Sequence, residues 1–210
     1  MERGLVVDVL RRGLDLRPAL RAVAGDGAAF VASALNEAFR RQLVSEAQLA
    51  PFQRMPEYEG RARQDGDVCV IRAGLGRYPL VVQLRDELAR LVRAAGRDIA
   101  GYADWRPNEV SIQRYQPRGL GITPHLDLKR YRYLVAVVTA TGSAPFTLCR
   151  DRAGTPLVTW DAGPGSLTLL RGPGLVGHDD GRPLHAVAGP DQGERLSIGF
   201  RMATVPGRHG

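Results

Sequence analysis

The second half of this sequence is a series of short strand-like segments, each separated from the next by a few turn residues. The pattern begins at Pro107 and continues almost to the end of the chain. Closely spaced strands with turn signals between them predict a mainly β fold of the sandwich or jelly-roll type. We predict eight strands, at residues 109–115, 121–126, 132–139, 146–150, 157–160, 166–170, 183–187 and 195–202.

The first half reads differently, with longer helical patterns among isolated strands. Apolar residues at four-residue steps predict a helix over residues 28–47, which Asp26 is placed to cap. A second helix is predicted to begin at Pro79 and to end at Gly96. Strands are predicted at 4–10 and 68–71, with a polar loop at 50–67. We expect the two helices to pack on the outer face of a sheet.

Length and composition fit one domain. The chain has 210 residues, of which 44% are hydrophobic, which is enough for a proper core. We expect a single domain over residues 1–210, in which residues 1–107 buttress a β core at 108–203. Residues 204–210, including His209, are predicted to form a flexible tail.

No apolar run approaches the length of a membrane span, and charged residues interrupt the first segment of the chain. We therefore expect neither a membrane segment nor an ordinary signal peptide. Cys69 and Cys149 lack the spacing of a disulfide framework or a zinc knuckle. A cytoplasmic protein in a reducing compartment is the resulting expectation.

The net charge of +7 raises the question of a polyanionic partner. The excess is spread along the chain, because it is +3 before Pro107 and +4 from there on. The densest basic run, at residues 129–133, follows a His-x-Asp motif. It fits a solvated turn and a contact for an anionic substrate equally well.

That motif is His125-Leu126-Asp127. Residues two apart on a strand project to the same face, so this spacing allows an imidazole and a carboxylate to reach one metal ion. His185 lies on a later strand, and it would complete a set of two histidines and one carboxylate. This set leaves coordination positions open and suits non-haem Fe(II). His178 is the competing third ligand, but its neighbours read as a polar turn.

Each of these residues also has an ordinary structural interpretation. Taken alone, His125 fits a half-buried strand residue and Asp127 a turn residue.

Ten residues beyond His185, a strand begins with Arg195 and alternates polar and apolar residues. Its polar set is Arg195, Ser197 and Arg201, and a guanidinium beside a hydroxyl is a good site for a carboxylate.

These motifs resemble those of the Fe(II)/2-oxoglutarate-dependent dioxygenases. The resemblance covers roughly residues 108 to 203 and implies a double-stranded β-helix (jelly-roll or cupin-like) core, for which eight strands suffice. It implies Fe(II) bound by His125, Asp127 and His185, with 2-oxoglutarate and O2 as cosubstrates. It also implies that 2-oxoglutarate contacts Arg195, Ser197, Tyr115 and Arg201.

The Arg-x5-Arg pair and the Gln113-Arg114-Tyr115 segment are similar to the AlkB branch, which repairs alkylated nucleic acids. The nucleotide lid of that branch has no recognisable counterpart here. The expected function is therefore hydroxylation of a small molecule, with release of succinate and CO2. Oxidative demethylation of nucleic acids or nucleotides and a non-catalytic, cupin-like metal-binding module are the alternatives. The sequence predicts no oligomeric state.

Overall fold

The computed structural model describes residues 8–204, in which two antiparallel sheets face each other and three helices cover one of them. The sheets contain thirteen strands. In chain order these are β1 Ala28–Val31, β2 Gln53–Arg54, β3 Tyr58–Glu59, β4 Ala62–Asp65, β5 Asp67–Ile71, β6 Glu109–Tyr115, β7 Gly121–His125, β8 Tyr131–Thr141, β9 Ala144–Cys149, β10 Pro156–Ala162, β11 Leu167–Arg171, β12 His185–Val187 and β13 Arg195–Ala203.

The first sheet has seven strands in the order β1-β11-β8-β13-β6-β5-β2, and the second has six in the order β10-β9-β12-β7-β4-β3. The chain passes repeatedly between the sheets, as in a double-stranded β-helix. All eight strands predicted after Pro107 are present, as β6 to β13, with ends that shift by at most two residues. The predicted mainly β, double-stranded β-helix fold is confirmed.

The helices are α1 Arg17–Asp26, α2 Glu37–Ala47 and α3 Pro79–Ala95. Helix α3 begins with Pro79 at its first turn, as predicted, and the backbone N–H of Gly96 closes it on Val92. The Glu46 carboxylate on α2 accepts hydrogen bonds from the N–H groups of Leu80 and Val81 at 3.0 and 2.9 Å. This contact satisfies free donors at the start of α3 and fixes the two helices together.

The main core lies between the helices and the seven-stranded sheet. Phe39 of α2 and Leu84 of α3 are buried there against Leu169 and Ile198 of the sheet. Burying such a side chain contributes about 1.5–3 kcal/mol. The helices therefore pack on the outer face of a sheet, as predicted, which leaves the space between the two sheets to a smaller cluster around Phe146.

The predicted helix over residues 28–47 is wrong in its first half. Residues 28–31 form β1, which pairs with β11, and Phe30 stacks on Trp160 of the opposite sheet at 5.6 Å between ring centroids. Helix α2 starts only at Glu37, and Asn36 caps it by accepting hydrogen bonds from Ala38 and Phe39. Asp26 is not its cap, because it ends α1, a helix that was not predicted from the sequence.

Two further predictions need correction. The loop predicted at 50–67 contains the short strands β2, β3 and β4. Of the strand predicted at 4–10, residues 4–7 lie outside the described part, and Leu10 makes only an isolated bridge with Leu35. Residues 205–210 with His209 also lie outside the described part, so the flexible tail stays a prediction.

Candidate active site

The site is built on the pairing of β7 with β12, which places His185 directly opposite His125. Their ring centroids are 4.2 Å apart. Both imidazoles line a small chamber between the two sheets, of about 30 Å³. The histidine expected from the His-x-Asp motif and the distant histidine are therefore adjacent.

Backbone contacts orient both rings in the same way. The Nδ1 atom of His125 lies 3.0 Å from the carbonyl oxygen of Thr123, and Nδ1 of His185 lies 3.1 Å from that of Pro183. A carbonyl only accepts, so these contacts assign the proton to Nδ1 and leave the Nε2 lone pair free. This arrangement is typical of histidines that bind a metal through Nε2.

His125 also has the right charge state to bind a metal. Burial, and next the proximity of His185, lower the pKa of His125 to about 4. His125 is therefore neutral at physiological pH, which is the form that binds metal ions.

Asp127 lies close to the histidines, but the local structure differs from the prediction. Strand β7 ends at His125, so Asp127 lies in the following loop rather than on the same strand. Its carboxylate Oδ2 is 4.0 Å from His185 Nε2. The guanidinium of Arg182 donates a hydrogen bond to the backbone carbonyl of Asp127 and is itself held by Asp180 at 2.7 Å.

Two imidazole nitrogens and a carboxylate suit Fe(II) by their chemistry. Within residues 8–204, however, no three histidine, cysteine or acidic side chains converge closely enough to count as a preformed metal cluster. The Oδ1 atom of Asp127 lies 3.8 Å from the Nε of Arg201. The carboxylate thus lies between the histidine pair and a guanidinium.

The strand β13 brings a second set of polar groups into the same chamber. Arg195, Ser197 and Arg201 all line it, as the alternation predicted, together with Tyr115 of β6. Arg195 is 1% exposed, and its Nη2 donates to Thr139 Oγ1 at 3.1 Å. Its guanidinium lies 5.6 Å from the centroid of the Tyr115 ring.

Several polar atoms of this set have no hydrogen-bond partner among the described residues: the Nε of Arg195, the Ser197 hydroxyl and the Nε of Arg201. Leaving a buried donor unsatisfied costs about 1–3 kcal/mol, and more when the group is charged. Burial lowers the pKa of Arg195 and raises that of Tyr115 to about 12. A bound carboxylate would satisfy the free donors and neutralise the buried cation, so these residues fit one end of a dicarboxylate.

Other neighbours were not expected from the sequence. Phe146 stacks on His185 with 5.2 Å between ring centroids and 7° between the planes. Arg201 donates to the Ser111 hydroxyl at 2.5 Å. Nothing in the local sequence marks Phe146 or Ser111, since strand pairing alone brings them to the site.

The structure also shows where His178 and the Gln113-Arg114-Tyr115 segment lie relative to the chamber. His178 is exposed, on the turn after a short 3-10 helix, and it does not line the chamber. On β6, Gln113 and Tyr115 point inward, whereas Arg114 points away and pairs with Asp67 at 2.9 Å.

The chamber opens into a groove of about 570 Å³ on the protein surface. The two share Gln113, Ile122, His125, Asp127 and Arg201. Arg130 and Tyr131, from the basic run at 129–133, line this outer groove, so the run borders the mouth of the site. A ligand in the groove would lie next to His125 and Asp127, at the mouth of the chamber.

Neither the protein-family models nor the curated protein sequences give a match to this chain. Solved structures do resemble it. A prolyl-4-hydroxylase from Pseudomonas putida superposes with a TM-score of 0.64 at 19% identity, over 90% of this chain and 99% of that one. An oxidoreductase of the 2OG-Fe(II) oxygenase family from Burkholderia pseudomallei gives 0.63 at 15%, over 91% and 92%.

A third similar structure is a prolyl hydroxylase from Trichoplax adhaerens in complex with a hypoxia inducible factor peptide fragment. It gives a TM-score of 0.63 at 12% identity, over 90% of this chain and 89% of that one. At such low identity these likenesses establish a shared fold, the double-stranded β-helix. No helix in residues 8–204 has the length and apolar character needed to cross a membrane.

Proposed function

We propose that this protein is an Fe(II)- and 2-oxoglutarate-dependent oxygenase that hydroxylates a small molecule. The observation that carries the proposal is the opposed pair His125 and His185, each with Nε2 free, beside the Asp127 carboxylate. A fold shared with oxygenases of this type supports it.

In this proposal His125, His185 and Asp127 bind the metal, and Arg182 holds the loop that carries Asp127. Arg195 and Ser197 bind the far carboxylate of 2-oxoglutarate, because their donors are buried and free. Tyr115 closes that end of the chamber against Arg195. Arg201, next to Asp127, contacts the cosubstrate close to the metal.

Fe(II) with 2-oxoglutarate and O2 supplies an oxidant that hydroxylates an unactivated C–H bond, with succinate and CO2 as products. The protein's part is to supply the metal ligands and the carboxylate-binding donors in a chamber walled by Ile122, Val137 and Phe146, whose volume of about 30 Å³ must widen to admit the cosubstrate. These apolar walls exclude water from the reacting groups. The outer groove then presents the substrate to the open side of the chamber.

Two alternatives make different demands on the same residues. Oxidative demethylation of nucleic acid, as in the AlkB branch, is favoured by the presence of two arginines, Arg195 and Arg201, on one face of β13. A non-catalytic metal-binding module has no use for a fully buried arginine with a free donor. The second alternative is therefore the weaker one.

The deciding experiment is an anaerobic titration of the apoprotein with Fe(II) and then 2-oxoglutarate. We expect a weak visible charge-transfer band that needs both components. His178→Ala serves as the matched control for His185→Ala, since only the latter should abolish the band. A folded, iron-loaded protein without the band would contradict the proposal.

A further inference from the structure

The outer groove is strongly basic. Three carboxylates line it, those of Glu59, Glu109 and Asp127. Six arginines line the same groove: Arg61, Arg72, Arg130, Arg152, Arg182 and Arg201. Those guanidiniums without an acidic partner are the ones available to a ligand.

Four of the arginines already have acidic partners. Arg201 lies 3.8 Å from Asp127, and Arg182 pairs with Asp180 at 2.7 Å. Arg72 and Arg130 both pair with the single carboxylate of Glu109, at 2.6 and 3.1 Å. Two guanidiniums on one carboxylate leave a surplus positive charge at that end of the groove.

Arg61 and Arg152 differ from the others, because neither forms an ion pair within 4.0 Å with any described residue. Arg61 is exposed in the two-residue turn between β3 and β4. Arg152 is exposed in the turn between β9 and β10. The two arginines therefore come from separate hairpins that line the same groove.

The nearby carboxylates do not neutralise this pair. Asp151, next to Arg152, accepts hydrogen bonds from the backbone N–H groups of Ala153 and Thr155 at 3.0 and 3.2 Å. Glu59 shares the β3–β4 hairpin with Arg61 but makes no ion pair with it. Arg152 instead reaches the carbonyl of Pro124 at 3.4 Å, one residue before His125.

The groove also offers an apolar surface to whatever it binds. Val70 and Leu128 are 43% and 41% exposed, and Met55 and Val68 lie beside them. The groove volume of about 570 Å³ lies within the range of pockets that hold one small ligand. Its lining thus combines an apolar surface with two arginines that form no ion pair with any residue the structure describes.

We infer that the substrate is a small amphipathic anion, whose carboxylate or phosphate is bound by Arg61 and Arg152 while its apolar part lies over the metal site. This inference rests on the proposed function and specifies its substrate class. Nucleic acid fits less well, because it needs many phosphate contacts and aromatic stacking surfaces. Tyr131, which is buried, is the one phenylalanine, tyrosine or tryptophan among the described lining residues.

The test uses a matched pair of fluorescent probes, 1-anilinonaphthalene-8-sulfonate and the uncharged N-phenyl-1-naphthylamine. Both titrations use the full chain without iron or 2-oxoglutarate. The double variant Arg61→Gln/Arg152→Gln should weaken sulfonate binding about tenfold or more, as expected for losing charge-assisted hydrogen bonds. Binding of the uncharged probe should not change.

The control is the double variant Arg63→Gln/Arg150→Gln. It removes the same charge from the same two hairpin regions, and neither residue lines the outer groove. Its sulfonate affinity should stay within about twofold of the wild type. An equal loss in both double variants, or no loss in either, would overturn the inference.

A second measurement connects the groove to turnover. Succinate release is screened with carboxylic acids and with their methyl esters, and only the acids should stimulate it. Stimulation by the esters alone, or displacement of the sulfonate probe by a short oligonucleotide with steep salt dependence, would overturn the inference.

Failure of the proposed function is visible separately, because the Fe(II) and 2-oxoglutarate titration does not involve Arg61 or Arg152. If that titration fails while the sulfonate probe distinguishes the two double variants, the groove binds anions, but not as an oxygenase substrate site.

Discussion

His125 and His185 face each other across one antiparallel strand pair, with their rings 4.2 Å apart and their Nδ1 atoms both held by backbone carbonyls. Each carbonyl belongs to the residue two positions earlier in the chain, Thr123 or Pro183. The backbone of the two strands thus sets the tautomer and direction of both rings.

This geometry predicts different effects for two histidine substitutions. His185→Ala should lower Fe(II) affinity about 100-fold or more, because it removes a direct ligand. His178→Ala should leave the affinity unchanged, since His178 is exposed and away from the chamber. Calorimetric titration with Fe(II) under anaerobic conditions, with circular dichroism as a fold control, measures both. The reverse outcome would assign the third ligand to His178.

Arg195→Met should weaken binding of the cosubstrate without destabilising the apoprotein. It should weaken 2-oxoglutarate binding about 100-fold, which is the loss expected for a bidentate, charge-assisted contact. In the apoprotein, the same change replaces a buried cation, which has no acidic partner within residues 8–204, by an apolar side chain. The apoprotein should therefore be as stable as the wild type or more stable by about 1 kcal/mol or more. Thermal unfolding with and without 2-oxoglutarate tests both effects, and a large loss of apoprotein stability would argue against them.

Because of the buried carboxylate of Glu109, we expect the free energy of unfolding to depend on pH in the acid range. Burial opposes its ionisation, but hydrogen bonds from Tyr131 and Arg72 and the charge of Arg130 together hold its pKa below the usual 4.5. The lowered pKa means that the folded state binds the proton less readily than the unfolded state. The stabilisation is therefore fully present above about pH 4.5 and is lost as pH falls through the folded-state pKa.

We expect Glu109→Gln to cost about 1–2 kcal/mol at pH 7, a value discounted because Arg72 is largely exposed. The difference from the wild type should shrink as pH falls below about 4.5. Urea unfolding at a series of pH values measures this difference. A difference that stays constant down to pH 3 would show that ionisation of Glu109 does not contribute.

Gly121 allows β7 to pack closely against β12, the two strands that carry the histidine pair. Its φ is +76°, and a Cβ there would overlap the carbonyl oxygen of Val187 on β12. Gly121→Ala should therefore cost about 3 kcal/mol or more and also weaken Fe(II) binding, because it forces β7 away from β12. Gly193→Ala is the control, since φ is +65° there but no atom lies within 4 Å. It should cost about 1 kcal/mol and leave iron binding intact.

The sequence predicted the β core correctly, and it placed the proposed site residues on strands that the structure brings together, because both follow local rules. Alternation on β13 placed Arg195, Ser197 and Arg201 on one face, as the structure has them. The eight core strands were recognisable from turn residues at short intervals. The pairing of His185 with His125 followed from the motif order rather than from any local signal.

The predictions failed where distant parts of the chain decide the local structure. Apolar side chains recur at helical steps from residue 28 to residue 47. The first four of these residues nevertheless form a strand, because they pair with β11 and Phe30 stacks on Trp160. Strands β2 to β4 are too short and polar to show an alternating pattern. The position of Asp127 depends on Arg182, which is far away in the sequence.

The histidines that face each other lie on strands separated by most of the β core, which has a consequence for folding. An ion shared by them would cross-link two distant points of the chain, in the way that a disulfide closes a long loop. The unfolded chain would lose this cross-link, so occupancy of the site and resistance to heat would rise together. The metal would then serve the architecture of the protein as well as its chemistry.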